Sequence, residues 1–225
     1  MILTPIAPDE LRETLAAFAA RLSEPARSVF ARIADPRAAQ RATGSAALAH
    51  HRAACALAES LGMSLLPGSP TIGFSWDGRA LRSETEAYVL LHEVAHFQLA
   101  TPERRETIDF GLGAGPETGD RAAAESARTL FGIAAEVEEA AASLLGILWE
   151  VEFGQPALAS FLDQNWLEGA DRPGAPAHFT KVLAQLQQLG LVDSDGRPRP
   201  RRASSLVQSA GAARIDDMQR EAALE

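Results

Sequence analysis

Three scarcities frame this chain. Cys55 is its only cysteine, so no intramolecular disulfide can brace it. Lys181 is its only lysine, which leaves positive charge almost wholly to arginine. No run of about 18 apolar residues occurs, which argues against a transmembrane helix. The opening MILTPIAPDE lacks the basic start and apolar run of a secretory leader, so the expected location is cytoplasmic. Basic charge is outweighed by acidic: a net charge of -9 disfavours nucleic-acid and anionic-membrane partners, both of which call for a basic face. What remains is ordinary for a globule, with 46% hydrophobic residues in 225. A chain of that size buries roughly 70% of its unfolded surface without covalent staples.

Periodicity makes the chain mostly helical. Asp9 can cap a helix on which Leu11, Leu15, Phe18 and Leu22 repeat at helical spacing. An alanine-rich helix is expected over 45–61, stopped by Gly62. TIGFSW at 71–76 has the composition of a strand, closed by the turn pair Asp77-Gly78. Ser83 and Glu86 have capping-box spacing, which predicts a helix running to about Ala100, before Pro102. A short helix at 102–110 and a glycine-rich link follow. Residues 121–151 read as helix with a bend near Gly132, and shorter helices are expected at 156–165 and 176–189. From Asp193 the chain turns polar, with RPRPRR at 197–202, and reads as a mobile tail.

The chain has five histidines, and two of them stand in LLHEVAHFQLA. Residues four apart on a helix differ by about 40° around its axis, so His92 and His96 project from one face and can share a metal ion. Glu93 lies next to that face, where it can hold a metal-bound water or a substrate proton. A chance HExxH in a chain of this composition has odds of about one in a hundred. Tyr88, Leu91, Ala95 and Leu99 form an apolar stripe beside the pair, and burying two histidines without partners is costly. A third ligand is needed. It is not a nearby histidine, because TPERR follows. The acids in AAEVEEAAASLL supply it: Glu136 beside Val137 and Ala140, or Glu138 on a face with Ala141, Leu145 and Leu148. Periodicity leaves these two equal. Zinc would make Glu93 the general base of a peptidase, whereas ferrous iron would make the same three ligands an oxygenase. Spacing does not decide between them.

The run HEVAHFQLATPERRETIDFG resembles the signature of the elongation factor P hydroxylases, a bacterial non-haem iron family. The resemblance is carried by His92, Glu93, His96, Phe97, Ala100, Arg104, Arg105, Asp109, Phe110 and Gly111. Weaker likenesses follow in EVEEAAASLL, in NWLEG and in APAHFTKVLAQL, so that it spans about 71–189. It implies Fe2+ held by His92, His96 and Glu136, with Arg104, Arg105 and Asp109 close behind the site. It also implies hydroxylation of a protein side chain, the modified lysine of elongation factor P. For Arg104, Arg105 and Asp109, an ion-pair network bracing two helices is an equal reading, since arginine forks suit both roles. The chain departs from the family after Gly111, where LGAGPETGDR replaces an aromatic-rich stretch. That points to a different substrate surface.

The expected architecture is α+β and predominantly helical. It has a zincin-like HExxH helix and a small sheet, with a catalytic unit over 1–192 (N-terminal helices 8–62, core 71–189) and a tail over 193–225. The alternative reading is a zinc peptidase with Glu93 as base.

Overall fold

The computed structural model describes residues 6, 8–168 and 174–201. The described residues are predominantly helical with one small sheet, an α+β arrangement. Helices α1 (Pro8–Ala20), α2 (Ala26–Ile33) and α3 (Gly44–Ser60) precede the strands β1 (Ser64–Leu66) and β2 (Ala80–Arg82). After these come α4 (Ala87–Leu99), α5 (Pro102–Arg105), α6 (Arg121–Ser126), α7 (Gly132–Glu152), α8 (Ala157–Asp163) and α9 (Gly174–Gln188). The strands are parallel, with Ser64 opposite Ala80 and Leu66 opposite Arg82. No helix among the described residues is long and apolar enough to cross a membrane.

Helix α7 is the axis of the molecule. Residues 141–150 are buried without interruption, as expected of a helix that is apolar all round. It packs most extensively on α4, and also meets α2, α8 and α9. Ala142 and Gly146, four apart on one face, keep its α4 side flat. A Cβ built on Gly146 would stand 3.3 Å from the Cα of His92, so the two backbones are nearly in contact there. At the other end of the core, Phe18 and Phe30 pack against Phe161 and Phe179 with ring centroids 4.8–6.0 Å apart. The N-terminal helices therefore share one core with the C-terminal ones.

Five expectations about the fold are corrected. The stretch 71–76 is not a strand: Ser69 accepts a hydrogen bond from the Thr71 N–H and Pro70 opens a 3-10 turn, Pro70–Ile72. Only Trp76 bridges Leu81, because its N–H donates to the Asp109 carboxylate and its carbonyl accepts from the Asp109 N–H. The capping box does not form, and α4 begins at Ala87 with Glu86 as an N-cap lacking a side-chain bond. Ser83 instead donates its N–H to the Leu66 carbonyl, extending the sheet. Asp9 lies inside α1, which starts at Pro8. Residues 193–201 fold back onto the body: Arg197 bridges Glu152 at 2.8 Å, and the Arg201 N–H donates to the Gln98 side chain at 3.1 Å. Residues 202–225 of the expected tail lie outside the described residues. The bend expected near Gly132 is a full break between α6 and α7.

Two stability predictions follow from α7. Gly146→Leu should cost about 1–3 kcal/mol in urea unfolding, because the added atoms meet α4 backbone. A change indistinguishable from wild type would mean that the helices are not in contact there. Glu150 is 1% exposed, and burial pushes its carboxyl up to about 7, with Ser160 and Arg41 pulling the other way. In the unfolded chain it ionises near 4.5. Between those values the folded state holds a proton that the unfolded state has lost, so stability falls as pH rises. Glu150→Gln should remove that loss, making the variant progressively more stable than wild type from about pH 4.5 to 7. A pH-independent difference would show that Glu150 is ionised throughout.

Candidate metal centre

Helix α4 carries the histidine pair on the face turned to α7. His92 Nε2 and His96 Nε2 are 3.0 Å apart. Two imidazole nitrogens at that distance need a proton or a cation between them. Glu139 of α7 completes the group, with Oε1 3.0 Å from His92 Nε2 and Oε2 3.3 Å from His96 Nε2. The residues fit a metal. Ligands about 2.1 Å from one ion lie roughly 3.0 Å from each other at right angles and roughly 3.4 Å at tetrahedral angles. The observed spacings fall within that range, and two imidazoles with one carboxylate are a donor set for zinc or ferrous iron.

The carboxylate differs from expectation. Glu136 is exposed and stands apart from the trio, and Glu138 is buried on another side of α7. The selection is a matter of helix phase. Glu139 stands seven residues before Gly146, two turns along the same stripe, and that stripe is the one that touches α4. The small residues of Glu139-Ala142-Gly146, spaced i, i+3, i+7, are the signal in the sequence that could have found it.

Glu138 has a different task. Both its oxygens accept from Arg104, at 2.5 and 2.7 Å, and Oε1 lies 3.5 Å from His96 Nδ1. That last spacing is longer than a well-formed hydrogen bond, and Nδ1 has no other partner among the described residues. The chain Arg104–Glu138–His96 has the order of the carboxylate–histidine arrangements that orient metal-binding imidazoles. Burial works against the charged form of His96, yet Glu138 and Glu139 outweigh it and hold its pKa up at about 10. Glu139 is pulled the other way: burial would raise it, but His92 and His96 hold it well below the carboxylate range. A cation is thus favoured at this spot.

The floor of the site is a left-handed turn. Asp109, Phe110 and Gly111 have φ of 42°, 55° and 72°. Asp and Gly tolerate that region, whereas Phe is strained in it. The strain is held by four bonds. Asp109 accepts from the Trp76 N–H at 3.1 Å and the Thr118 hydroxyl at 2.7 Å, and its own N–H donates to Trp76. Arg104 Nε donates to the Phe110 carbonyl at 2.9 Å. The turn presses Phe110 between Trp76 (centroids 5.4 Å) and His96 (5.9 Å). Gly111 cannot carry a side chain, since a Cβ would fall 2.2 Å from the Thr129 hydroxyl. Arg105 lies behind: its Nε donates to the Phe97 carbonyl at 2.7 Å, and its guanidinium sits over the Phe97 ring. Of the three residues expected near the site, Arg104 braces the ligand helices, Asp109 builds the floor and Arg105 supports α4.

Above the trio lies a cavity of about 220 Å3. Its walls include Tyr88, Glu93, Phe110, Glu117 and Gln164, of which Tyr88, Glu93 and Phe110 were among the residues singled out in the sequence. Burial pushes the Glu93 carboxyl up to about 7, against the pull of His96 and His92. No family model, curated protein or solved structure matches the chain.

Ferrous or zinc titration of the apoprotein separates these roles. Glu139→Ala and His92→Ala should abolish stoichiometric binding, and Glu136→Ala should leave it within a few-fold of wild type. Glu138→Gln should weaken it roughly 10–100-fold, the usual cost of an orienting carboxylate. Binding lost in Glu136→Ala but retained in Glu139→Ala would contradict the assignment.

Proposed function

We propose that this chain is a non-haem iron-dependent hydroxylase that modifies a side chain of a protein. The observation that carries the reading is the meeting of two imidazoles and one carboxylate in a cavity too small for more than a side chain or small group. None of the cavity's described lining residues comes from β1 or β2. A peptidase commonly grips its substrate backbone on a strand edge, as extended peptides do when they add to a sheet. A wall of helix and loop suits an inserted side chain better. The resemblance of HEVAHFQLATPERRETIDFG to the elongation factor P hydroxylases supports the same reading, and makes elongation factor P the first substrate to try. The reading includes a zincin-like arrangement, an active-site helix beside a small sheet.

His92, His96 and Glu139 would hold Fe2+ at the cavity wall. Ferrous iron there would supply the reduction of dioxygen that places one oxygen atom in a substrate C–H bond and, with two electrons and two protons from a reductant outside the chain, the other in water. Glu138 and Arg104 would keep the His96 imidazole oriented for that role. Glu93, with a carboxyl near neutrality, can hold or release a proton at the cavity wall. Phe110 and Trp76 exclude water from behind the histidines.

The zinc peptidase remains the second reading because Glu93 lines the cavity with a carboxyl raised to about 7, as a general base would need. The test is direct. Protein loaded anaerobically with ferrous iron, then given dioxygen, ascorbate and lysine-modified elongation factor P, should add one oxygen atom to that protein by mass spectrometry. Glu93→Gln should retain part of this activity. Zinc-loaded protein that cleaves peptides, with cleavage abolished by Glu93→Gln, would replace the hydroxylase by the peptidase.

A further inference from the structure

The metal cavity is not a dead end. Tyr88 and Glu117 line both it and a groove of about 890 Å3 at the start of α4. Glu139 and Gln164 line both it and a second groove, of about 940 Å3, between α7 and α9. The metal site thus sits between two open grooves that share its walls. Their sizes differ in a telling way. Pockets that hold whole ligands run to about 300–1,000 Å3, so each groove falls in that range and the cavity between them does not.

Both grooves are acidic. In the first, Glu84, Glu86, Glu117, Glu150 and Asp163 share the wall with His50, His51 and, as the one lysine or arginine among the described lining residues, Arg41. Arg41 is already engaged: it bridges Asp163 at 2.8 Å and lies over the Tyr88 ring. The second groove has Glu136, Glu139 and Glu168 and, among the described residues, no lysine or arginine. Walls of this sign repel nucleic acid and other polyanions.

We infer that the substrate is an extended polypeptide segment lying across the site, with basic residues on both sides of the one being modified, one flank in each groove. This deepens the hydroxylase reading and rests on it for the chemistry, while the binding mode can be measured without turnover. Two weak flank contacts on one chain reinforce each other through effective concentration.

The experiment uses fluorescein-labelled nine-residue alanine peptides, about 30 Å long when extended. They carry arginine pairs on both flanks, on the N-terminal flank, on the C-terminal flank, or glutamate pairs on both. Each is titrated by fluorescence anisotropy against the full chain. The doubly basic peptide should bind roughly tenfold or more tightly than either singly basic one. Glu84→Lys/Glu86→Lys should remove the benefit of arginines on one flank, and Glu136→Lys/Glu168→Lys the benefit on the other. His92→Ala/His96→Ala should lose metal but keep this preference within about threefold, since it leaves Glu84, Glu86, Glu136 and Glu168 in place. Loss of metal binding with intact flank preference is therefore expected of that variant, and failure of wild type to bind iron would sink the hydroxylase and not the grooves. No preference over the glutamate peptide, both groove variants acting on the same flank, or spermidine competing as well as the doubly basic peptide would overturn the inference.

Discussion

The contact between α4 and α7 at Gly146 is the constraint on which the rest depends. Because nothing projects from Gly146, the backbone of His92 comes within van der Waals distance of α7. That approach fixes the rotation of each helix relative to the other. It turns the histidine face of α4 onto the stripe of α7 that carries Glu139, and leaves Glu138 and Glu136 to other surroundings. A bulkier residue at the crossing would separate the donors by more than a metal can bridge. The site is thus a consequence of how closely two apolar helices pack.

Around that contact the protein accepts two local costs. One is the buried charge network of Arg104, Glu138 and His96. Such networks contribute little net stability, because desolvation offsets much of the attraction, but breaking one partner is expensive. Here the return is orientation of His96. The other cost is the left-handed turn of Asp109 and Phe110, held by Trp76, Thr118 and Arg104. It sets the Phe110 ring beside His96, with centroids 5.9 Å apart and planes 24° from parallel. Arg104 serves both devices, bonding Glu138 with its guanidinium ends and the Phe110 carbonyl with Nε. The two arginines and the Asp-Phe-Gly run therefore read as parts of one brace.

Much of the helical plan was legible in the sequence because it depends on local spacing. The pair at i, i+4 on one face of α4, the helices bounded by Gly62, Pro102 and Gly190, and the helical character of 132–152 all follow from periodicity and breakers. What was not legible depends on partners distant in sequence. Glu139 is selected over Glu136 by how α7 is rotated against α4, at which only the small residues Ala142 and Gly146 hint in the sequence. Ser83 looks like a helix cap until β1 claims its N–H, and 71–76 looks like a strand until Asp109 occupies both backbone groups of Trp76. The arginine-rich run was read as a solvated tail from composition, yet Glu152 and Gln98 tie residues 197–201 to the body. In each case a long-range bond outweighed a local preference.

The central claim is that His92, His96 and Glu139 together hold ferrous iron. Anomalous diffraction at the iron edge, on crystals of protein produced in iron-replete medium and kept from oxygen, tests it most directly. The account predicts one iron peak bonded to the Nε2 atoms of His92 and His96 and to a carboxylate oxygen of Glu139. A peak bonded to Glu136 or Glu138 instead, or zinc persisting at the histidines under those conditions, would contradict it.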